Sequence, residues 1–330
     1  MTQGRFPVLD GWRAISILLV LAGHLFPLGP KPLNVNEAVA ALGMAIFFTL
    51  SGFLITTTLL YRPSVTEFLI RRLCRIVPLA WLFTVVALFV ARAPTADYVA
   101  QLLFYSNIPP FWLTTNTSHL WSLCVEMQFY MAIAAVVGIF GRRGLWAIPV
   151  VCLAVTAHRV QQRELLSIVT SVRVDEILSG GTLALICATP ALDPVKRFIA
   201  LANPFALAVL AFLAANTLCG PLDYLRPYFV SCMVGSTILK DRRATEFLKT
   251  RHMKYMAEIS YALYILHPAV TWGWLGEGSK VAVYAKRIPA LAGVFGLAHL
   301  STRHFEEFWI RKGKEWGKTR LLVPSFPNSG

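Results

Sequence analysis

What most limits the fold of this chain is a succession of apolar stretches that leaves little room for anything else. Ten of them are long enough, or nearly so, to cross a hydrocarbon core of about 30 Å. They cover residues 8–28, 38–60, 76–91, 119–140, 145–158, 174–190, 199–218, 222–239, 256–275 and 281–301. In lipid each backbone polar group needs a partner within the protein, and a helix supplies one inside its own segment. The expected fold is therefore all-α: a polytopic integral membrane protein of about ten transmembrane helices. The composition agrees, with 56% hydrophobic and 15% charged residues and a mean hydropathy of +0.59, beyond the range of ordinary soluble domains.

Charge placement gives the chain a direction. With the N-terminus in the cytoplasm, 20 Lys and Arg residues fall in the even-numbered loops and the C-terminal segment, against nine in the odd-numbered loops. Basic residues accumulate on the cytoplasmic side of membrane proteins, so both termini are expected there. The same rim accounts for the formal net charge of +14 through anionic lipid, without nucleic acid. The first apolar stretch carries Arg13 and His24 and lacks a small-residue cleavage site, so no removable signal peptide is expected. The six cysteines lie in or beside apolar segments with no metal-binding spacing, and read as packing residues. Residues 97–104 suggest a short interfacial helix. Residues 1–305 form the expected transmembrane domain, and 306–330 a basic cytoplasmic tail, mobile toward residues 324–330.

Ionisable residues inside such spans are costly, so they mark candidate functional positions. Arg13 and His24 are eleven residues apart, close to a whole number of turns, so they share a helix face about 16 Å apart along the axis. Asp10 is placed to pair with Arg13. Ser51-Gly52 lets a backbone or a ligand approach closely. Arg71, Arg72 and Arg75 stand at the expected entrance of the third span, where arginine forks suit phosphate; a charged flank that sets topology is the plainer alternative. Glu126 lies about two turns into the fourth span, with Tyr130 one turn further on the same face. Such a carboxylate must be paired, protonated or turned to a cavity. Arg173, Asp175 and Glu176 group at the start of the sixth span, and His119 near the outer interface.

These motifs, in this order, resemble the acyltransferase-3 family of bacterial integral membrane O-acyltransferases. The resemblance is carried by Leu9-Asp10-Gly11-Trp12-Arg13 followed by His24, Phe47-Phe48 through Ser51-Gly52-Phe53-Leu54, Arg71-Arg72-x-x-Arg75-Ile76-x-Pro78, and Leu120-Trp121-Ser122-Leu123-x-Val125-Glu126-x-Gln128-Phe129-Tyr130. It continues in Arg173-Val174-Asp175-Glu176 and in Ser260-Tyr261-Ala262-Leu263-Tyr264-Ile265-Leu266-His267-Pro268. The chain departs from the family pattern at Met127, where a second acidic residue is usual.

The resemblance implies a multi-pass enzyme of the bacterial inner membrane. Its donor would be acyl-CoA, most simply acetyl-CoA, used as a substrate with no tightly bound cofactor and no metal. The acceptor would be a hydroxyl on a glycan or lipid-linked saccharide. In that frame Arg72 and Arg75, with Arg71 and Ser51 beside them, would hold the donor, and Arg13, counted with the catalytic residues, would line its route or steady the charge. Neutral imidazole has the pKa range of a general base, which assigns that role to His24, with Glu126 expected to orient its ring. Direct transfer needs fewer groups than an acyl-enzyme on Ser51. Asp10, Tyr130, Arg173 and His119 are acceptor-side or supporting candidates. His267, before a proline that frees a nearby carbonyl, is read as structural in preference to catalytic. The rival class is a transporter or flippase, in which the buried His, Glu and Arg residues would form a pathway.

Overall fold

The computed structural model describes residues 7–319, with side-chain surroundings through residue 317. The tail residues 320–330, including the stretch 324–330 expected to be mobile, lie outside the described residues. Among those described there are thirteen α-helices and no strand. They are α1 (Pro7–Leu25), α2 (Val35–Tyr61), α3 (Val65–Val90), α4 (Thr95–Leu102), α5 (Trp121–Phe140), α6 (Ile148–Gln162), α7 (Asp175–Ala188), α8 (Asp193–Leu201), α9 (Pro204–Ala215), α10 (Arg226–Leu239), α11 (Arg251–Leu266), α12 (Lys280–Leu300) and α13 (Glu307–Thr319).

Each expected apolar stretch contains helix, and α4 coincides with the expected interfacial segment. The lengths differ from expectation. Among the described residues five helical runs are long and apolar enough to span a bilayer: 7–25, 31–61, 65–90, 118–162 and 280–317. The bent pair α7–α8, folded by 104°, makes a sixth if counted as one span. The remaining apolar helices are short; α9 has 12 residues and α10 has 14. The protein is a multi-pass helical membrane protein.

Local chemistry explains the boundaries that composition misplaced. α3 begins at Val65, well before the expected residue 76, because Ser64 caps it by accepting from the Glu67 amide at 3.4 Å. That is a serine N-cap, which hydropathy does not register. Arg71, Arg72 and Arg75 therefore sit inside a helix rather than at its entrance. α11 stops at Leu266 and tightens into a 3-10 turn, His267–Thr271, because Pro268 has no amide hydrogen with which to continue the α ladder. The segment expected as tail begins as helix α13, packed on α3. A Cβ added at Gly313 would stand 2.8 Å from that of Cys74.

α2 is the central post of the molecule. It packs along α1 on one side and α7 on the other. The α2–α7 contact is made backbone to backbone at two glycines. A Cβ added at Gly52 would lie 1.8 Å from the Ile177 carbonyl oxygen, and one at Gly180 would lie 1.9 Å from that of Thr49. The close approach expected of Gly52 is thus to another helix. Beside it lies a fully buried ionic network. Arg159 donates to Asp175 at 2.6 Å and to Asp223 at 2.5 Å, and Arg226 donates to Glu176 at 2.7 Å and also to Asp223. Arg173 lies 3.5 Å from Glu176. Three cations and three carboxylates balance in this buried region, and they tie α6, α7 and α10 together.

Candidate active site

α1, α2, α3, α5 and α11 enclose a cavity of roughly 60 Å3, room for several water molecules, in which charged groups project from a largely apolar wall. Helical spacing selects what lines it. Ser122, Glu126 and Tyr130 form one stripe along α5 at intervals of four, and Arg72 and Arg75 face in from adjacent turns of α3. Arg13, Ser16 and Val20 come from α1, Ser51 from α2, and Tyr261 and Tyr264 from α11. Three guanidinium groups thus meet one lining carboxylate, Glu126, with Asp10 and Glu306 close behind Arg13 and Arg75. The Arg72 guanidinium also lies over the Tyr130 ring at 5.6 Å. A cleft with such an excess of fixed cations attracts anionic ligands.

Glu126 is 4% exposed, and two hydroxyls account for its burial. The Ser51 and Tyr130 hydroxyls both donate to its Oε1. This corrects the expected pairing of Glu126 with His24. Matching the depths of two helices fixes height along the bundle and says nothing about rotation around it. Glu126 faces α2, while His24 faces α11. His24 also stands in the last turn of α1, one turn beyond the cavity-lining Val20, rather than in mid-helix.

At that end of the cavity a second constellation begins. His24 Nδ1 is 3.0 Å from His267 Nε2, and His267 Nδ1 is 2.7 Å from the Tyr264 carbonyl oxygen. Tyr264 lines the cavity, and its hydroxyl meets Ser122 Oγ at 2.5 Å. His119 packs edge-on against His267, with centroids 5.3 Å apart. The surface of His24 is exposed, whereas His267 is 2% exposed. The carbonyls that close α1 have partners of their own: Asn36 donates to Gly23 at 2.8 Å and Arg287 to Leu25 at 2.5 Å.

Of the sequence candidates, the structure gathers Arg13, Ser51, Arg72, Arg75, Glu126 and Tyr130 around one cavity and sets His24 just past it. Arg71 points elsewhere, ion-paired with Glu67 and facing the α13 side near Gly317. Arg173 belongs to the buried ionic network and lies over the Trp121 ring at 5.4 Å. His119 is 5% exposed and lies within 3.3 Å of the Ile265 carbonyl through Nε2, so it is a buried packing group rather than an outer-surface contact. Sequence reasoning missed the partnership of His24 with His267 and the part of Tyr264 in it. The available signal was Tyr264-x-x-His267-Pro268, a histidine placed to meet the carbonyl that proline leaves free.

The fold and the cavity define a helical membrane protein with an arginine-lined interior cavity and an exposed histidine just past its end. Comparison with known proteins names the family. The model of the acyltransferase domain matches residues 6–298, and the chain belongs to that family. It is 24% identical to the peptidoglycan O-acetyltransferase OatA of Listeria monocytogenes over 356 aligned residues, 93% of this chain and 56% of that protein. It is 34% identical to the putative peptidoglycan O-acetyltransferase YrhL of Bacillus subtilis over 150 residues, 38% of this chain and 22% of that one. A putative O-acetyltransferase of Staphylococcus aureus is 31% identical over 156 residues, 38% of this chain and 23% of its own. The chain thus spans about half the length of the first of these relatives and about a quarter of the others. No solved structure matches.

Proposed function

We propose that this protein is an O-acetyltransferase of the bacterial inner membrane that moves an acetyl group from acetyl-CoA to a hydroxyl of a cell-surface glycan. The observation that carries this reading is the cavity itself. Arg13, Arg72 and Arg75 converge on one space, and the exposed ring of His24 stands one turn past its end. Arg72 and Arg75 would take the donor's phosphates, and the narrow space beyond them suits a short acyl chain on its thioester arm. His24 would take the proton of the acceptor hydroxyl as the oxygen attacks the thioester carbonyl. The C–S bond then breaks, and the leaving thiolate recovers the proton from His24. The names of the relatives favour a glycan acceptor of the peptidoglycan kind.

The reading includes ten membrane passes with both termini in the cytoplasm. It is supported by the helix directions. α1 and α11 meet at their C-terminal ends through His24 and His267 and so run parallel, while α5 descends from the histidine end at Ser122 to the arginine end at Tyr130.

The hydrogen bond from Ser51 to Glu126 favours a second route, in which the carboxylate activates Ser51 for a transient acyl-enzyme. Purified protein in lipid nanodiscs, given radiolabelled acetyl-CoA and glycan fragments, tests both. Labelled glycan is expected, and its formation should fall about 10²–10⁴-fold in His24→Ala. Label trapped on Ser51 and found by mass spectrometry would establish the second route. Wild-type turnover in His24→Ala would remove His24 from the mechanism. Glycan movement without donor consumption would make the protein a transporter.

A further inference from the structure

We propose that His267 is a positioning residue that fixes the tautomer of His24 and leaves the proton-accepting lone pair on the exposed side of the ring. This rests on the reading of His24 as the base. The constraint on the ring starts at Pro268. In an α-helix the amide of residue 268 would donate to the carbonyl of Tyr264, and proline has none to give. His267 Nδ1 stands in its place at 2.7 Å. A carbonyl oxygen only accepts, so Nδ1 of His267 carries a hydrogen. In the neutral ring its Nε2 is then an acceptor. That Nε2 is 3.0 Å from His24 Nδ1, so His24 must donate from Nδ1 and hold its own lone pair on Nε2.

The ring geometry agrees. The two ring planes are within 10° of parallel, with centroids 5.2 Å apart. This separation exceeds the N···N distance by about two centre-to-atom radii of imidazole. The rings therefore meet edge to edge, as a linear N–H···N bond requires, and not face to face. Burial divides the labour. His267 is enclosed, with His119 edge-on against it, while His24 is exposed. When Nε2 of His24 takes the acceptor's proton, the Nδ1–H bond to His267 becomes charge-assisted and strengthens. A neutral imidazole thus does the orienting that a carboxylate does in a Ser-His-Asp triad, and it adds no negative charge at that end of the cavity.

The test is nitrogen NMR of protein labelled with 15N-histidine in lipid nanodiscs, with the His24 signals assigned by their loss in His24→Ala. At neutral pH the wild type should show His24 protonated at Nδ1 and bare at Nε2, coupled through the hydrogen bond to His267. His267→Gln keeps an acceptor close to the position of Nε2 and should retain the tautomer, with kcat within about tenfold of wild type. His267→Leu should release the ring to mixed tautomers and lower kcat by about 10²–10⁴-fold, with KM for acetyl-CoA unchanged. A wild-type His24 protonated at Nε2, or an unchanged His24 tautomer in His267→Leu, overturns the proposal. Nδ1 protonation together with an active His24→Ala overturns instead the reading of His24 as base, and with it the catalytic value of the contact.

Discussion

Arg71, Arg72 and Arg75 form one basic run in the sequence and separate into two roles in space. Arg72 and Arg75 line the cavity, while Arg71 is ion-paired to Glu67 on another face of α3. If the cavity holds the donor's phosphates, the three should differ in a titration of acyl-CoA by calorimetry. Arg72→Lys and Arg75→Lys each lose a guanidinium fork, worth about 1.5–3 kcal/mol for a charge-assisted hydrogen bond, and should bind about ten- to a hundredfold more weakly. Arg71→Ala should bind as the wild type does. Equal losses at all three positions would mean that the run supplies only a diffuse basic field. Most of the cavity was legible at this scale, because Glu126, Tyr130, Arg72, Arg75, Ser51 and Arg13 are polar where the surrounding sequence is apolar. What the sequence did not reveal was who faces whom. Spacing along one helix ranks residues by face, but it carries no information about the rotation of one helix against another. That is why Glu126 was matched to His24 and not to Ser51.

At the scale of the element, Gly52, next to the Ser51 that bonds Glu126, lets α2 lie directly on α7. A methyl group at Gly52 would sit 1.8 Å from the Ile177 carbonyl, on backbone that cannot swing aside. Gly52→Ala should therefore push the two helices apart and displace Ser51. Overpacking of this kind costs about 1–3 kcal/mol, visible as a lower melting temperature in detergent and as a fall in activity. Gly138→Ala on α5 is the control: a methyl there meets nothing within 4 Å, and alanine is the better helix former by about 1 kcal/mol, so stability should hold or rise. A Gly52→Ala protein as stable and active as Gly138→Ala would show that α2 and α7 slide freely. The element boundaries that were hardest to read belong to the same class of local effect. The N-cap at Ser64 and the break at Pro268 are single-residue chemistry, invisible to an average over apolar windows.

At the scale of the whole molecule, the number of crossings decides which constellation meets which solution. Among the described residues five or six helical runs are long enough to cross by themselves, yet the contact between His24 and His267 has α1 and α11 point the same way. Ten passes satisfy that demand if the short helices cross within the bundle, where α7 and α10 are sheltered by their neighbours and by the ionic network at one end. In a background without the native cysteines, single cysteines at Asn116 and Glu277 should react with a membrane-impermeant thiol reagent added to intact cells. Cysteines at the exposed positions Arg142 and Glu246 should react only after the membrane is opened. This pattern would put the histidine pair toward the outside and the arginines of α3 toward the cytoplasm, where a CoA donor is available. Labelling of Arg142→Cys from outside would remove a crossing between α2 and α6. The donor site and the acceptor site would then open on the same side, and transfer across the membrane would no longer follow from this fold.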